Sequence, residues 1–243
     1  MAWYRHPVLV VYAKYCRVRQ RMQVTLIKLY IFPLLLLLAL VITSAAIPLA
    51  TSVAHASAVA PSSSLGKALI DMAGLQGFST PFKQVLSYAE GGQRVYTGEL
   101  AVLRPGKFLW RYIKPYEQLY VSNGDGIWLY EPDLLQAQKL QDLGEIDPVV
   151  MQLLDGRVGL SDVEVLGNVQ EEGADVWHVQ LGKAEKAVEI WLGVEDGALL
   201  WIESRDVLAN TNRLHLLDID TSKPNQDIFE FTAPEGVDVI GAF

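Results

Sequence analysis

Cysteine and histidine are nearly missing from this sequence, and each shortage excludes chemistry. Cys16 is the single cysteine in 243 residues, and only His178 and His215 lie beyond residue 56. Both histidines sit on alternating stretches, where a solvent-facing imidazole is the plain reading. Two histidines on separate strands, with no thiolate nearby, make a poor zinc site. No G-x-S-x-G elbow, H-E-x-x-H pair or glycine-rich phosphate loop occurs. The carboxylates are scattered over turns and wet faces, where they confer solubility instead of forming an acid–base pair. A hydrolase therefore lacks its nucleophile motif, and nothing in the chain calls for a cofactor.

Charge is missing in one place and unbalanced in another. From Leu29 to Gly66 there is no Lys, Arg, Asp or Glu. Before that stretch stand Arg5, Lys14, Arg17, Arg19, Arg21 and Lys28, and within it the run Leu34–Ile42 followed by small residues ending in Ala54-His55-Ala56. A positive start, an apolar centre and an A-x-A site together describe a secretory signal peptide over residues 1–56. The uncharged stretch is also long enough to span a bilayer as an uncleaved anchor. Pro33, Pro48 and the small-residue tail favour cleavage, after Ala56, and Met22 is an alternative start that leaves a leader of ordinary length. Losing six positive and no negative charges takes the formal net charge from −8 to −14. That surplus excludes nucleic acid as a partner and does not suit adhesion to anionic lipid. Because Cys16 leaves with the leader, the exported chain has no disulfide and no cysteine for lipid attachment, so it must rely on its core. Residues 57–64 read as a small-residue linker and 65–243 as one domain, long enough for such a core.

Val95–Tyr130 organises that domain as four short antiparallel strands. Leu100 and Val102 alternate with Glu99 and Ala101, the period of a half-buried strand. Arg104-Pro105-Gly106-Lys107 carries proline and glycine where a type II turn wants them. Beyond it Phe108, Trp110 and Tyr112 share one face, and Leu109, Arg111 and Ile113 the other. Asn123-Gly124-Asp125-Gly126 is a hairpin signal between Leu119–Val121 and Ile127–Tyr130. Large apolar residues occupy both faces, so both must be covered.

Around this centre, Leu65–Leu75 reads as a short helix with Leu69 and Met72 on its apolar face. Phe82–Ala89 alternates as a strand. Asp147-Pro148 starts a second helix and Gly156 stops it, with Val150, Leu153 and Leu154 on the apolar side. Further strands are expected around Trp177–Leu181, Val188–Leu192, Leu199–Arg205, Leu214–Ile219 and Phe229–Thr232, about ten in all, spaced as an antiparallel meander. The expected fold is mainly β with some helix (α+β): a curved, incompletely closed sheet capped by two short helices. Trp110, Trp128, Trp177, Trp191 and Trp201 all fall on predicted strands. They either fill a closed core or line a dry cavity, and a dry cavity suits acyl chains, which need burial and shape but no hydrogen bonds.

RPGKFLWRY, a P-x-x-Q run, VSNGDGIWLYEPDLLQAQ and the ending FTAPEGVDVI together resemble the LolA-type outer-membrane lipoprotein carriers over essentially the whole exported chain. The resemblance implies an unclosed antiparallel barrel with a helical lid, in a non-enzymatic periplasmic chaperone that is a monomer. It implies acylated lipoproteins as cargo, an inner-membrane lipoprotein-releasing ABC transporter complex as donor, and an outer-membrane lipoprotein receptor as acceptor. Leu100, Val102, Phe108, Trp110, Tyr112 and Trp128 are the expected cavity wall. Arg104, matching the arginine of the family's RPG motif, is expected to latch a lid formed by Leu69, Met72, Val150, Leu153 and Leu154. The chain ends soon after GVDVI, so the extra C-terminal segment of some members is not expected. The receptor of the same pathway is an alternative on the same fold, but it needs a lipid-bearing cysteine. A lipid-sensing regulatory module is another, usually with a second domain for which this chain has no room.

Overall fold

A computed structural model describes residues 57–143, 146–171, 173–182 and 187–241. The leader expected over residues 1–56 lies outside the described residues. Alternating apolar and polar side chains generate a single sheet of thirteen strands. Its strands are β1 (Ser57–Ala58), β2 (Gly77–Ser87), β3 (Gln93–Leu103), β4 (Lys107–Lys114), β5 (Gln118–Asn123), β6 (Ile127–Glu131), β7 (Gln136–Leu140), β8 (Val163–Glu171), β9 (Ala174–Leu181), β10 (Val188–Glu195), β11 (Ala198–Arg205), β12 (Thr211–Leu216) and β13 (Asp238–Ile240). The spatial order β1-β8-β9-β10-β11-β12-β2-β3-β4-β5-β6-β7-β13 joins two meanders through the pairing of β12 with β2. Every pairing is antiparallel except that of β13 with β7. The sheet stays open, with β1 at one edge and β13 at the other.

Two helices cover the inner face. Helix α1 (Ser64–Gly74) starts where Ser63 Oγ accepts the Gly66 N–H at 3.0 Å. Leu65, Leu69 and Met72 recur at helical spacing and are buried. Helix α2 (Pro148–Leu154) is capped by Asp147, whose carboxylate accepts the Val149 N–H at 2.9 Å, with Pro148 in the first turn.

Several elements differ from expectation. The Arg104–Lys107 turn is a three-residue connection, because Lys107 already pairs with Leu103. Phe229–Thr232 is no strand: Gln226–Phe229 forms a 3-10 turn that inserts Phe229, 1% exposed, against Ala101 and Leu103 on the outer face. The strand expected from Phe82 starts at Gly77, the one expected to reach Ile219 ends at Leu216, and β1, β7, β8 and β13 have no counterpart among the expected strands. Residues 57–64 are more than a linker, since Ser57 and Ala58 pair with β8 and Val59 is buried in the core.

Candidate functional site

Pairing register decides which side chains share the inner face. Leu100 lies opposite Trp110 and Val102 opposite Phe108, so these four form one block, each less than 5% exposed. Tyr112 extends the block at half-burial, its ring edge-on to Phe82 with centroids 5.4 Å apart. Gly98 makes room for this cluster, because a Cβ there would lie 2.7 Å from the Phe82 ring. Leu69 and Met72 of α1 and Val150, Leu153 and Leu154 of α2 belong to the same apolar cluster. The expected wall, Trp128 apart, and the expected lid thus belong to one core.

Trp128 is the exception. It pairs with Val121, which pairs with Leu109, and the pleat puts all three on the outer face. There Trp128 packs on Phe231 with centroids 5.5 Å apart, so it is not part of the inner wall. Trp191 and Trp201 are also outward: Arg205 and Arg213 lie over their rings at 4.4 and 4.0 Å. Trp177 faces inward and donates to Ser64 Oγ at 3.2 Å.

The anticipated cavity is filled on its Trp110 side and stays open on its Phe108 side, where Phe108, Ile127, Leu140 and Met151 help line a space of about 630 Å³. Between Trp110, Tyr112, Val150 and Leu214 the remaining space is about 10 Å³, whereas small-molecule pockets usually hold about 300–1,000 Å³. The cause is the lid, whose apolar side chains occupy that side of the concavity; an empty one would forfeit their dispersion contacts.

Arg104 stands where the two helices end. Its Nη1 donates to Ala73 O at 3.0 Å and Leu75 O at 2.7 Å, at the C-terminus of α1. Its Nη2 donates to Leu154 O at 2.7 Å, at the C-terminus of α2. Carbonyls left over at a helix C-terminus carry partial negative charge, so one guanidinium satisfies both ends at once. Burial pushes the Arg104 pKa down, and the Asp155 carboxylate acts in the opposite direction. The group nonetheless stays cationic, as arginine does in proteins. Its Nε is buried with no acceptor among the described residues.

Two neighbours not foreseen from the sequence complete the surroundings of Arg104. Gly156, at φ +68°, presses on the guanidinium, and a Cβ there would lie 2.5 Å from Arg104 Cζ. Asp155 is 8% exposed, accepts the Gly106 N–H at 3.3 Å and pairs with Arg157 Nε at 2.7 Å. It thereby ties the end of α2 to the loop that carries Arg104. The stop signal at Gly156 was legible, but its contact with Arg104 has no sequence signature.

Among the described residues, no cluster of His, Cys, Asp and Glu could hold a metal ion, and no helix is long and apolar enough to cross a membrane. The sequence model of the family described as "Outer membrane lipoprotein carrier protein LolA" matches residues 73–232. An outer-membrane lipoprotein carrier protein from Cupriavidus taiwanensis is 33% identical over 147 residues, covering 59% of this chain and 70% of that protein. One from Bordetella pertussis is 30% identical over 172 residues, covering 70% and 82%. Among solved structures, a LolA superfamily protein from Nitrosomonas europaea aligns over 72% of this chain and 99% of its own, at 15% identity and a TM-score of 0.44. On the family match and the relatives at this identity, the chain belongs to the outer-membrane lipoprotein carrier family, LolA.

Proposed function

We propose that this protein is a periplasmic chaperone that shelters the acyl chains of lipoproteins between the inner and outer membranes. It would receive them from an inner-membrane releasing complex, hand them to an outer-membrane receptor, and work as a monomer without hydrolysing a nucleotide. The observation that carries this reading is the arrangement at Arg104: an apolar concave face is covered by two helices whose C-termini converge on one side chain.

The energetics explain why lid side chains pack against the Trp110 side of the wall. Burying an acyl chain gains about 0.8 kcal/mol per methylene, so a chain of some fifteen methylenes gains roughly 12 kcal/mol. Cargo bound that tightly in a rigid pocket would not leave. Here cargo must displace Leu69, Met72, Val150, Leu153 and Leu154 from the wall and break hydrogen bonds at Arg104. The cost of opening offsets part of the gain and is returned when the lid closes, which favours release. The outer-face residues Trp128 and Phe231 have no part in this exchange.

Arg104→Leu tests the reading. Without the guanidinium the open state rises in population, and loss of about 1.4 kcal/mol of closing free energy changes the open-to-closed ratio tenfold. The variant is expected to accumulate with lipoprotein bound and to transfer it slowly to an outer-membrane acceptor. Mass spectrometry of material copurifying from the periplasm, with a transfer assay, measures both. Loading and unloading at the wild-type rate would refute the latch.

A further inference from the structure

The inner face is not apolar to its rim. Tyr112 OH donates to Gln84 Oε1 at 2.9 Å, and Gln84 Nε2 donates to Asn212 Oδ1 at 2.8 Å. This polar chain borders the 10 Å³ space beside Trp110. Trp110 is 3% exposed, and its Nε1 is buried with no acceptor among the described residues. Asn212 also lines a second, open pocket of about 300 Å³ with Leu86, Tyr88, Asp206 and Asn210, where the β2–β3 and β11–β12 connections turn. The polar chain therefore separates the packed region around Phe82 and Trp110 from a water-accessible mouth at the end remote from the β3–β4 connection.

We propose that Trp110, Tyr112, Gln84 and Asn212 form a polar collar for the carbonyl oxygens that end the cargo's acyl chains, with the hydrocarbon lying on the Phe82 side. This assignment rests on the carrier reading and adds a subsite to it. Hydrocarbon needs no donor, but each acyl chain ends in an ester or amide carbonyl that gives up water on entering an apolar site. An indole N–H donates and cannot accept, so a buried one without a partner matches an oxygen acceptor. Keeping such a donor unpaired is costly. Asp147 and Val150 of the α2 region border the same space, so lifting α2 would uncover the indole N–H together with the cavity. The Asp147 carboxylate also sets a preference: a neutral ester or amide is tolerated beside it, whereas the carboxylate of a free fatty acid is repelled.

The test compares two probes of equal chain length on the periplasmically purified protein: 1-monopalmitoylglycerol, labelled with ¹³C at the carbonyl, and 1-O-hexadecylglycerol, which lacks that oxygen. The ester is expected to bind about tenfold more tightly, and its carbonyl stretch to move to lower frequency on binding. Trp110→Phe and Gln84→Leu should each bring the two affinities together, and Trp110→Phe should abolish the frequency shift. N-palmitoylethanolamine in a third arm shows whether ester or amide is preferred, and palmitate in a fourth should bind least. Equal ester and ether affinities in the wild type, with no shift, would overturn the collar and leave the carrier reading intact. Failure of all four probes to bind would overturn both. If Trp110→Phe does not fold, the wild-type ratio and Gln84→Leu decide.

Discussion

The two lid helices cover the same apolar wall but are held in different ways. Helix α1 has eleven residues and is fixed at its start. Ser64 Oγ bonds the Asp175 carboxylate and accepts from Trp177 Nε1, and Gly66 lies so close to Ala60 and Pro61 that a side chain could not fit. Helix α2 has seven residues, too few to hold its shape alone. Beyond its apolar packing, its link to the sheet among the described residues runs through Asp155 and Arg104 at one end. We therefore read the lid as one fixed helix and one movable helix, with Arg104 joining their C-termini. Local opening is cheapest where fewest groups must be released.

The contrast can be broken from either side. Gly66→Ala should have the largest effect, because its Cβ would fall within van der Waals contact of Ala60 O and the backbone there cannot retreat without withdrawing β1 from β8. A loss of about 2–3 kcal/mol of global stability is expected, as for overpacked sites, measured as a lower denaturant midpoint at unchanged slope. Gly156→Ala should cost less overall, about 1–2 kcal/mol for an alanine forced to positive φ, but the damage should stay at α2. A side chain there also displaces the guanidinium. Hydrogen exchange should quicken at residues 148–156 and remain slow at 65–74. Equal acceleration in both helices would mean that the lid moves as one body.

How much of this was legible depended on the kind of signal. Alternation in Phe108-Leu109-Trp110-Arg111-Tyr112 fixed which residues share a face, and the structure keeps that grouping. Alternation does not carry parity through a hairpin, however. Trp128 reads as a wall residue because it is large and apolar, yet pairing through Val121 to Leu109 sets it outside. The β7 segment, Gln-Ala-Gln-Lys-Leu, is too polar to stand out as a strand. Strand β13 is held by a parallel pairing with a segment about a hundred residues earlier, which no local pattern announces. Phe229 and Phe231 looked like strand residues because they alternate, but both turned out to pack on the outer face of the sheet. At Arg104 the motif singles out the residue, while its partners are backbone carbonyls of Ala73, Leu75 and Leu154, and carbonyls leave no mark in a sequence.

The finest test removes the same chemistry from both helices. Ser63 and Asp147 are their N-caps, each accepting a backbone N–H in the first turn, at 3.0 and 2.9 Å. Replacing either with alanine removes one cap, worth about 1 kcal/mol to its helix. If the helices were equivalent, the two variants would behave alike. In Ser63→Ala the bonds from Ser64 to Asp175 and Trp177 remain, so α1 should stay docked and the loss should appear only as a small fall in global stability. In Asp147→Ala the lost cap loosens a helix with few other attachments. The same 1 kcal/mol should then raise the open-to-closed ratio of α2 about fivefold. An acyl probe should bind the Asp147→Ala protein faster than wild type, whereas Ser63→Ala should leave that rate unchanged. Faster loading in Ser63→Ala instead would reassign the moving half of the lid to α1.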